Sequence, residues 1–500
     1  MWNRKGDTKM HYEELIREHA PAWPYPVHYT KENEVSCDVL ILGGGIAGCW
    51  AAIGAARKGA RVVLVEKTAT KTSGAGGSGV DHWQGAVTNP ACQITPEEFA
   101  QAIIDSSDGR WCGITAYIKA RESYDCLLEL EKMGMKIRDS EDEFKGAEFR
   151  DEKTKLLFAY DYVSKYTVRV WGSNVKPALY KECKRLGVNI FDHVMSTSLL
   201  TKEGKQGTTV IGATGFNIRT GEFYIFKGKA TVLCMSTAMK GSLFSMELTA
   251  SSFAFPYGVA DDGQAMTWRA GAEFTGLMAT GGVMAGPRYS QLAQGNAANT
   301  WYACTMVDSN GKEIPWVDRD GKILKTVSER YRPAPGQKLF LAGGGLGTMA
   351  GAIGMFPSGG GAKLKKNQYD YQAPSLIPDW AERVSKGEFT LPFYADLPSM
   401  PEHERRAIFG LMVAQEGRSL IPVYRTYTQA GFDPDQDLLQ NYELEWGGVG
   451  QVQRLPVPAL AGLVVDWNLK TNLDGLYTAG MSVFASGCHS NAAATGRYAG

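Results

Sequence analysis

Three glycines and one acid carry the first chemistry that can be read from this chain. Gly43, Gly45 and Gly48 fall on a G-x-G-x-x-G frame inside LGGGIAGCW, and Glu66 follows in the next apolar stretch. In such a frame the first glycine permits a tight turn, and the second lets a pyrophosphate approach the backbone. The third lets helix and strand close up, and the acid accepts hydrogen bonds from ribose hydroxyls. A second run of small residues, Ser73-Gly74-Ala75-Gly76-Gly77-Ser78-Gly79, offers further amides to a cofactor. Two histidines, His82 just after that run and His489 near the end of the chain, belong to the residue type that moves protons near neutral pH.

The elements that must hold the glycine frame are present in order. Val39 to Leu42 is an apolar run suited to a strand buried on both faces, and Cys49 to Lys58 is an Ala-rich helix ended by Gly59. Arg61 to Val65 is a second buried strand with Glu66 at its end. Together they predict a dinucleotide site rather than a glycine-rich turn in an ordinary α/β domain. FAD is preferred to NAD because the fingerprint lies near the start of a long chain, a second glycine cluster follows at once, and a matching Gly-rich motif closes the chain. Residues 95–138 read as helical, opened by a capping box of Thr95 and Glu98. Val175 to Gly187 reads as another helix leading into a strand at Asn189-Ile190. Thr208 to Ala230 reads as short strands and turns, with Thr231 to Cys234 returning to the main sheet.

Composition narrows the class. The 500 residues carry 53 basic and 53 acidic side chains, which argues against a general nucleic-acid binder, since phosphate neutralisation needs a cationic surplus. With 44% hydrophobic and 21% charged residues, disorder and coiled coil are excluded. Glycine is in excess at 58 residues, against a usual share of about 7%. The nine cysteines are widely spaced with no Cys-x-x-Cys pair, so a disulfide framework, a zinc ribbon and a resident iron–sulfur relay are not expected. No secretory signal and no apolar run of about 20 residues is found. The expectation is a cytoplasmic protein with reduced thiols and no direct membrane span.

Later motifs complete a family pattern. Val259-Ala260-Asp261-Asp262-Gly263-Gln264 runs into Arg269-Ala270-Gly271-Ala272-Glu273, and Gly475-Leu476-Tyr477-Thr478-Ala479-Gly480 precedes Ser486-Gly487-Cys488-His489-Ser490-Asn491. In this order and spacing the chain resembles the succinate dehydrogenase/fumarate reductase flavoproteins over roughly residues 36–500. The runs SGAGGSG, LPFYADLP and Ala494-Thr495-Gly496-Arg497 look nearer the adenylylsulfate reductase α-subunit branch. The resemblance implies an α/β fold: a Rossmann-like, two-segment FAD domain of the glutathione-reductase type, interrupted by an α+β capping domain. The expected divisions are an extension at 1–35, FAD domain at 36–284, cap at 285–395, and the second FAD segment at 396–500, cut short inside its last helix. Within the cap, Ala342 to Gly361 is either a surface loop or a lid whose glycines permit closure. Implied cofactor contacts are Gly43, Gly45, Ile46, Ala47, Gly48, Glu66, Lys67, Ser73, Gly74, Ala75, Gly77, Ser78, Gly79, Met195, Asp262, Gly480, Ser482, Asn491 and Ala492.

Departures from the family are as informative. The stretch matching a QFHPTG-like segment reads Leu277-Met278-Ala279-Thr280-Gly281-Gly282, and an HxxGG-like segment is matched by Pro458-Ala459-Leu460-Ala461-Gly462. Neither contains a histidine. The arginine of a GANRLGG-like segment aligns with Ala493. A dicarboxylate needs several cationic or donor groups at fixed positions, so succinate and fumarate are not the expected substrates. Covalent members carry a histidine in the loop beginning at Ser73; none is present, so FAD is expected to be non-covalent. Met481 stands where a glutamate often holds ribityl hydroxyls, leaving Ser482 or backbone groups to serve. Met235-Ser236-Thr237-Ala238 replaces an Ala-Thr-Gly-Gly turn.

The resemblance places His489 close to the flavin and His82 on the side facing the isoalloxazine, each either a proton donor or a structural hydrogen-bonding group. Trp83 either stacks on a flat substrate or is core. Arg405 and Arg406 lie where the family carries a proton-donating arginine nearby, or else form a solvated helix face with Glu402 and Glu404. Tyr424, with Arg425 and Tyr427, is a proton relay or simple packing, and Arg288 and Tyr289 are similar secondary candidates. The expected activity is FAD-dependent hydride transfer between flavin N5 and a weakly charged unsaturated or carbonyl substrate (enone, enoate or alicyclic). The alternative is a catalytic flavoprotein subunit of an adenylylsulfate-reductase-like complex. Expected partners are a small-molecule substrate and a separate electron-transfer subunit, iron–sulfur or flavin, with room for an oligomer; neither nucleic acid nor metal is expected to bind.

Overall fold

The computed structural model describes residues 23–77, 79–80, 82–106, 109, 112–236, 262–275, 282–284, 303–337, 339, 374–408, 428–440, 452–454, 462–483 and 489–500. The chain opens with β1 (Glu32–Leu42), α1 (Ile46–Arg57) and β2 (Val62–Glu66). β1 begins at Glu32 rather than Val39, inside the segment expected to be an extension. Its polar first half alternates in burial and pairs in parallel with Phe223 to Phe226, so a strand extends beyond the apolar run. Next come β3 (His82–Gln84), α2 (Pro96–Ser106), α3 (Gly113–Lys132), β4 (Leu157–Phe158), β5 (Thr167–Arg169) and α4 (Val175–Arg185). The helical stretch expected over 95–138 is two helices, separated where Gly109 takes φ +74. The capping box forms as read: Glu98 N–H donates to Thr95 Oγ1 at 3.2 Å, and Thr95 N–H donates to Glu98 Oε2 at 2.8 Å.

β6 (Asn189–Asp192), β7 (Val194–Thr201), β8 (Val210–Asn217) and β9 (Phe223–Leu233) follow, then α5 (Asp262–Ala270). The expected small antiparallel sheet and the returning strand share one element. β9 pairs antiparallel with β8 through its first half and parallel with β1 along its length. β10 (Phe274–Thr275) and β11 (Gly282–Met284) lead out to a second group: β12 (Thr305–Val307), β13 (Glu313–Ile314), β14 (Trp316–Val317), β15 (Ile323–Leu324), α6 (Val327–Arg330), β16 (Ser375–Leu376), α7 (Trp380–Ser385), β17 (Tyr394–Asp396), α8 (Glu402–Ala407) and β18 (Leu439–Gln440). β19 (Val452–Arg454) and β20 (Gly462–Leu463) pair antiparallel with β11 and β10 and lead back to β21 (Leu476–Thr478) and α9 (His489–Ala499). β17 pairs with β18, so the sheet of the inserted group continues past residue 395, where the cap was expected to end.

The five parallel strands run β6–β2–β1–β9–β21, which in their own chain order is 3-2-1-4-5. Ligands of such open sheets sit outside the carboxyl ends of the strands where the order reverses, here between β1 and β9. α1, α3, α4 and α9 share the apolar cluster of Ile41, Trp50, Leu64 and Leu127 on one face. Val194, Val210 and Phe226 of β7, β8 and β9 cover the other with Leu40, Leu42 and Val65. A third cluster joins residues 303–408 to residues 87–166, so the inserted group is seated on the segment between β3 and β5.

Candidate functional site

The glycine frame is built as its spacing requires. Gly43 has φ +97, and a side chain there would meet the Cys234 carbonyl at the end of β9 at 2.5 Å. Gly45 is the N-cap of α1, has no side chain to cap the helix, and has open space within 4 Å of where a Cβ would stand. No acid occupies the first turn of α1. The positive end of the helix and its amides are therefore left to a ligand, and a pyrophosphate fits them.

The turn is braced from both sides. Gly44 N–H donates to Glu66 Oε2 at 2.7 Å, while the other Glu66 oxygen accepts from Thr68 N–H and Oγ1 at 2.9 and 2.8 Å. The Gly44 carbonyl accepts from Ser73 Oγ at 3.0 Å, from the Lys176 ammonium, and from the Cys49 thiol at 3.4 Å. Lys176, 1% exposed, was not singled out by sequence: it sits in the first turn of a charged helix and looks like a surface lysine. Its Nζ lies 3.2 Å from Cys49 Sγ. The Cys49 thiol is drawn below its ordinary value by its interaction with Cys183, against its burial and helped by the Lys176 charge. Lys176→Met is expected to weaken FAD binding about ten- to hundredfold, since hydrogen bonds from charged groups contribute about 1.5–3 kcal/mol. A fluorescence titration of the flavin-free variant showing wild-type affinity would remove Lys176 from this role.

The other expected cofactor residues converge on the frame in part. A Cβ on Gly74 would lie 3.2 Å from the Gly45 Cα, and one on Gly480 would lie 3.0 Å from the Ala47 Cβ and 3.9 Å from that of Ala492. Gly480 N–H donates to Thr495 Oγ1 at 2.9 Å, and Ser482 Oγ donates to the Ser236 carbonyl at 3.1 Å. Ile46 and Gly48 are buried in α1, Asn491 is buried in α9, and Ala75, Gly77 and Gly79 follow Gly74 in the second loop. Lys67 and Asp262 form an ion pair with each other. Met195 lies on β7 near the Glu66 end, where His193 N–H donates to the Thr68 carbonyl at 2.9 Å. Ser78 and Tyr424 lie outside the described residues, as do Arg288, Tyr289, Arg425, Tyr427 and the Ala342 to Gly361 segment.

The two histidines flank the same loops. His489 opens α9, and its Nδ1 is 3.3 Å from where a Cβ on Gly76 would stand. Beside it, Ser490 Oγ donates to the Gln84 carbonyl of β3, the strand that begins with His82. His82 is 6% exposed, sits edge-on to Tyr160 at 5.5 Å, and lies opposite Arg169 of β5. Trp83, by contrast, is fully buried in the α1 cluster, with its indole N–H on the Ser123 carbonyl at 2.9 Å, so it is core and stacks on no substrate.

Arg405 donates to the carbonyls of Pro398 and Met400 and pairs with Asp435 at 2.8 Å, while Arg406 is half-exposed and pairs with Glu143 at 3.1 Å. α8 turns Glu404 inward instead, because its interior face carries positions 404 and 407. Glu404, 2% exposed, pairs with the equally buried Arg169 at 3.0 Å and accepts from Tyr162. Burial first, and then nearby carboxylates, push the phenols of Tyr162, Tyr166 and Tyr331 well up. These raised values mean that their contribution is complete below an unfolded tyrosine value of about 10 and is lost as pH rises above it. Denaturant midpoints are expected to fall from pH 10 upward, and less steeply in Tyr162→Phe/Tyr331→Phe protein; equal slopes would exclude these two phenols as the cause.

Among the described residues, no group of His, Cys, Asp and Glu is arranged to hold a metal ion, no cysteine is disulfide-bonded, and no helix is long and apolar enough to cross a membrane. The FAD binding domain family matches residues 38–291. A fumarate reductase (CoM/CoB) subunit of Methanothermobacter marburgensis is 27% identical over 253 residues, which are 48% of this chain and 41% of that protein. The match thus spans less than half of that relative's length. Adenylylsulfate reductase from Archaeoglobus fulgidus superposes with a TM-score of 0.63 at 18% identity, covering 96% of this chain and 71% of that one. For E. coli quinol fumarate reductase the TM-score is 0.57 at 15% identity, with 93% and 69% covered. At these identities the likeness is one of fold, and it is the α/β fold of FAD-binding flavoproteins.

Proposed function

The chain belongs to the FAD binding domain family, and from that premise we propose that it is an oxidoreductase acting on a weakly charged substrate with a C=C bond conjugated to a carbonyl. FAD, once bound, supplies the two-electron hydride chemistry; the protein supplies orientation and a proton. One observation carries the substrate class: Arg169, the buried cation beside His82, is already paired with Glu404, so this guanidinium offers no net charge to a carboxylate. In this reading the Gly43–Gly48 turn, Glu66 and the Gly74–Gly79 loop hold FAD without a covalent bond, and His489 places the proton. The protein works in the cytoplasm and takes electrons from a separate subunit; the relative's designation as one subunit of a reductase supports the latter.

The test is anaerobic. Flavin in the purified protein is reduced, then mixed in a stopped-flow instrument with enones, enoates, fumarate or adenylylsulfate. Reoxidation by neutral enones and not by fumarate is expected; reoxidation by adenylylsulfate alone would replace this reading with a sulfur-reducing subunit. His489→Ala is expected to retain FAD and slow enone-driven reoxidation about a hundredfold, the lower range for a lost general acid. A wild-type rate in that variant would remove His489 as the proton donor.

A further inference from the structure

The three-stranded sheet β3–β5–β4 separates two packing regions. Trp83, Phe158 and Val168 belong to the apolar cluster around α1, while Leu157 belongs to the cluster that holds residues 303–408. Side chains alternate across a sheet and register partners share a face. His82, Arg169 and Thr167 therefore lie on the Leu157 side, toward the inserted group. Arg169 is 1% exposed and rests on the Phe149 ring at 4.5 Å. Among the described residues only one of its nitrogens is engaged: Nη2 donates to Glu404 at 3.0 Å and to the Tyr162 hydroxyl at 3.1 Å. Nε and Nη1 find no acceptor among the described residues, and neither does the buried Thr167 hydroxyl two residues earlier on the same strand.

A guanidinium serving only to join two parts of the chain would direct its donors at protein oxygens, because a buried donor without an acceptor is costly. Here the charge is paired at Nη2 and the donors on Nε and Nη1 are left over. We propose that an unpartnered donor of Arg169, with the Thr167 hydroxyl, forms a substrate subsite that receives an uncharged carbonyl oxygen. This rests on the enone reading above and assigns one end of that substrate. FAD, when bound and reduced, would supply hydride to the β-carbon, and the role of Arg169 would be to stabilise the electron pair displaced onto the carbonyl oxygen. The proton arrives separately at the α-carbon. A carboxylate is disfavoured at the same place, since Glu404 stands on the same guanidinium.

The subsite can be tested on FAD-loaded protein by calorimetric titration with cyclohex-2-enone and the ring-matched cyclohex-1-enecarboxylate. Wild-type protein is expected to bind the ketone at least tenfold more tightly. Glu404→Gln keeps an acceptor for Nη2 but removes the negative charge, and is expected to reverse the preference in favour of the carboxylate. Arg169→Lys loses the planar fork and is expected to weaken ketone binding at least tenfold. The proposal is overturned if wild-type protein binds neither probe or prefers the carboxylate. It is equally overturned if Glu404→Gln leaves the preference unchanged, a result that decides even where Arg169→Lys does not fold. Enones that reoxidise the flavin equally well in all three proteins would leave the reaction standing and remove the subsite. Arg169-dependent ketone binding without any enone-driven reoxidation would do the opposite.

Discussion

Protein carrying Gly48→Ala is expected to emerge from purification without flavin. Gly48 lies in the first turn of α1, and a methyl group there would stand 1.8 Å from the Gly43 carbonyl oxygen. The obstacle is backbone, so no rotamer change relieves it. Gly43 itself cannot retreat, because on its other side the space for a Cβ is closed by the Cys234 carbonyl at 2.5 Å. The remaining outlet is to move α1 away from the end of β1. That movement breaks the Gly44 contacts with Glu66 and Lys176 and pulls the Ala47 carbonyl away from Gly496 of α9, where a Cβ would have only 2.3 Å. Overpacking of this kind costs about 1–3 kcal/mol, occasionally more, and here it falls on the donors that would hold the pyrophosphate. Flavin-to-protein absorbance is expected to drop to background while far-UV circular dichroism stays near that of wild-type protein. Stoichiometric FAD in the variant would mean that the cofactor does not depend on this turn.

The contrast between what sequence reveals of this site and what it hides has a physical origin. The Gly43–Gly48 frame is local: turn, helix and strand lie within one short segment, and each glycine answers a backbone constraint imposed by its neighbours. Glu66 and the Thr95 capping box are legible for the same reason, since their partners are two or three residues away or one strand over. Lys176 and Arg169 answer to partners 132 and 235 residues distant, and nothing in their own segments distinguishes them from surface cations. α8 shows how one segment draws attention to side chains other than the one it buries. Glu-His-Glu-Arg-Arg-Ala reads as a charged helix facing solvent, and a family habit draws the eye to its arginines. The helix's rotation is set by Ala407, which is fully buried, and Glu404 shares that face at i−3. The extra length of β1 escaped for a related reason: residues 32–36 are polar, and only pairing with β9 makes them strand.

Glu404→Ala is expected to be among the most destabilising single changes in the inserted group. It leaves Arg169 buried at 1% exposure with the Tyr162 hydroxyl as its one remaining acceptor among the described residues. Burial alone would lower the Arg169 pKa, but the Glu404 carboxylate, then Tyr162 and Tyr331, more than reverse this, so the guanidinium keeps its charge in the folded protein. Removing one partner of a buried pair costs about 3–5 kcal/mol, chiefly because the other charge stays behind. Against a total stability of about 5–15 kcal/mol, that is enough to lower the thermal midpoint of a 500-residue chain by roughly 3–5 °C. The same argument predicts that the loss is reversible by subtraction. Arg169→Met/Glu404→Leu, which removes both charges and keeps most of the volume, is expected to recover most of the midpoint because a buried pair is seldom better than an apolar replacement. The double variant should nevertheless fail to distinguish ketone from carboxylate, since the donors are gone. Stability and recognition then separate at one pair of residues. A Glu404→Ala midpoint within about 1 °C of wild type, well inside the shift expected for a lost buried pair, would show that the ion pair does not set the stability of this junction. A double variant no more stable than Glu404→Ala would show the same.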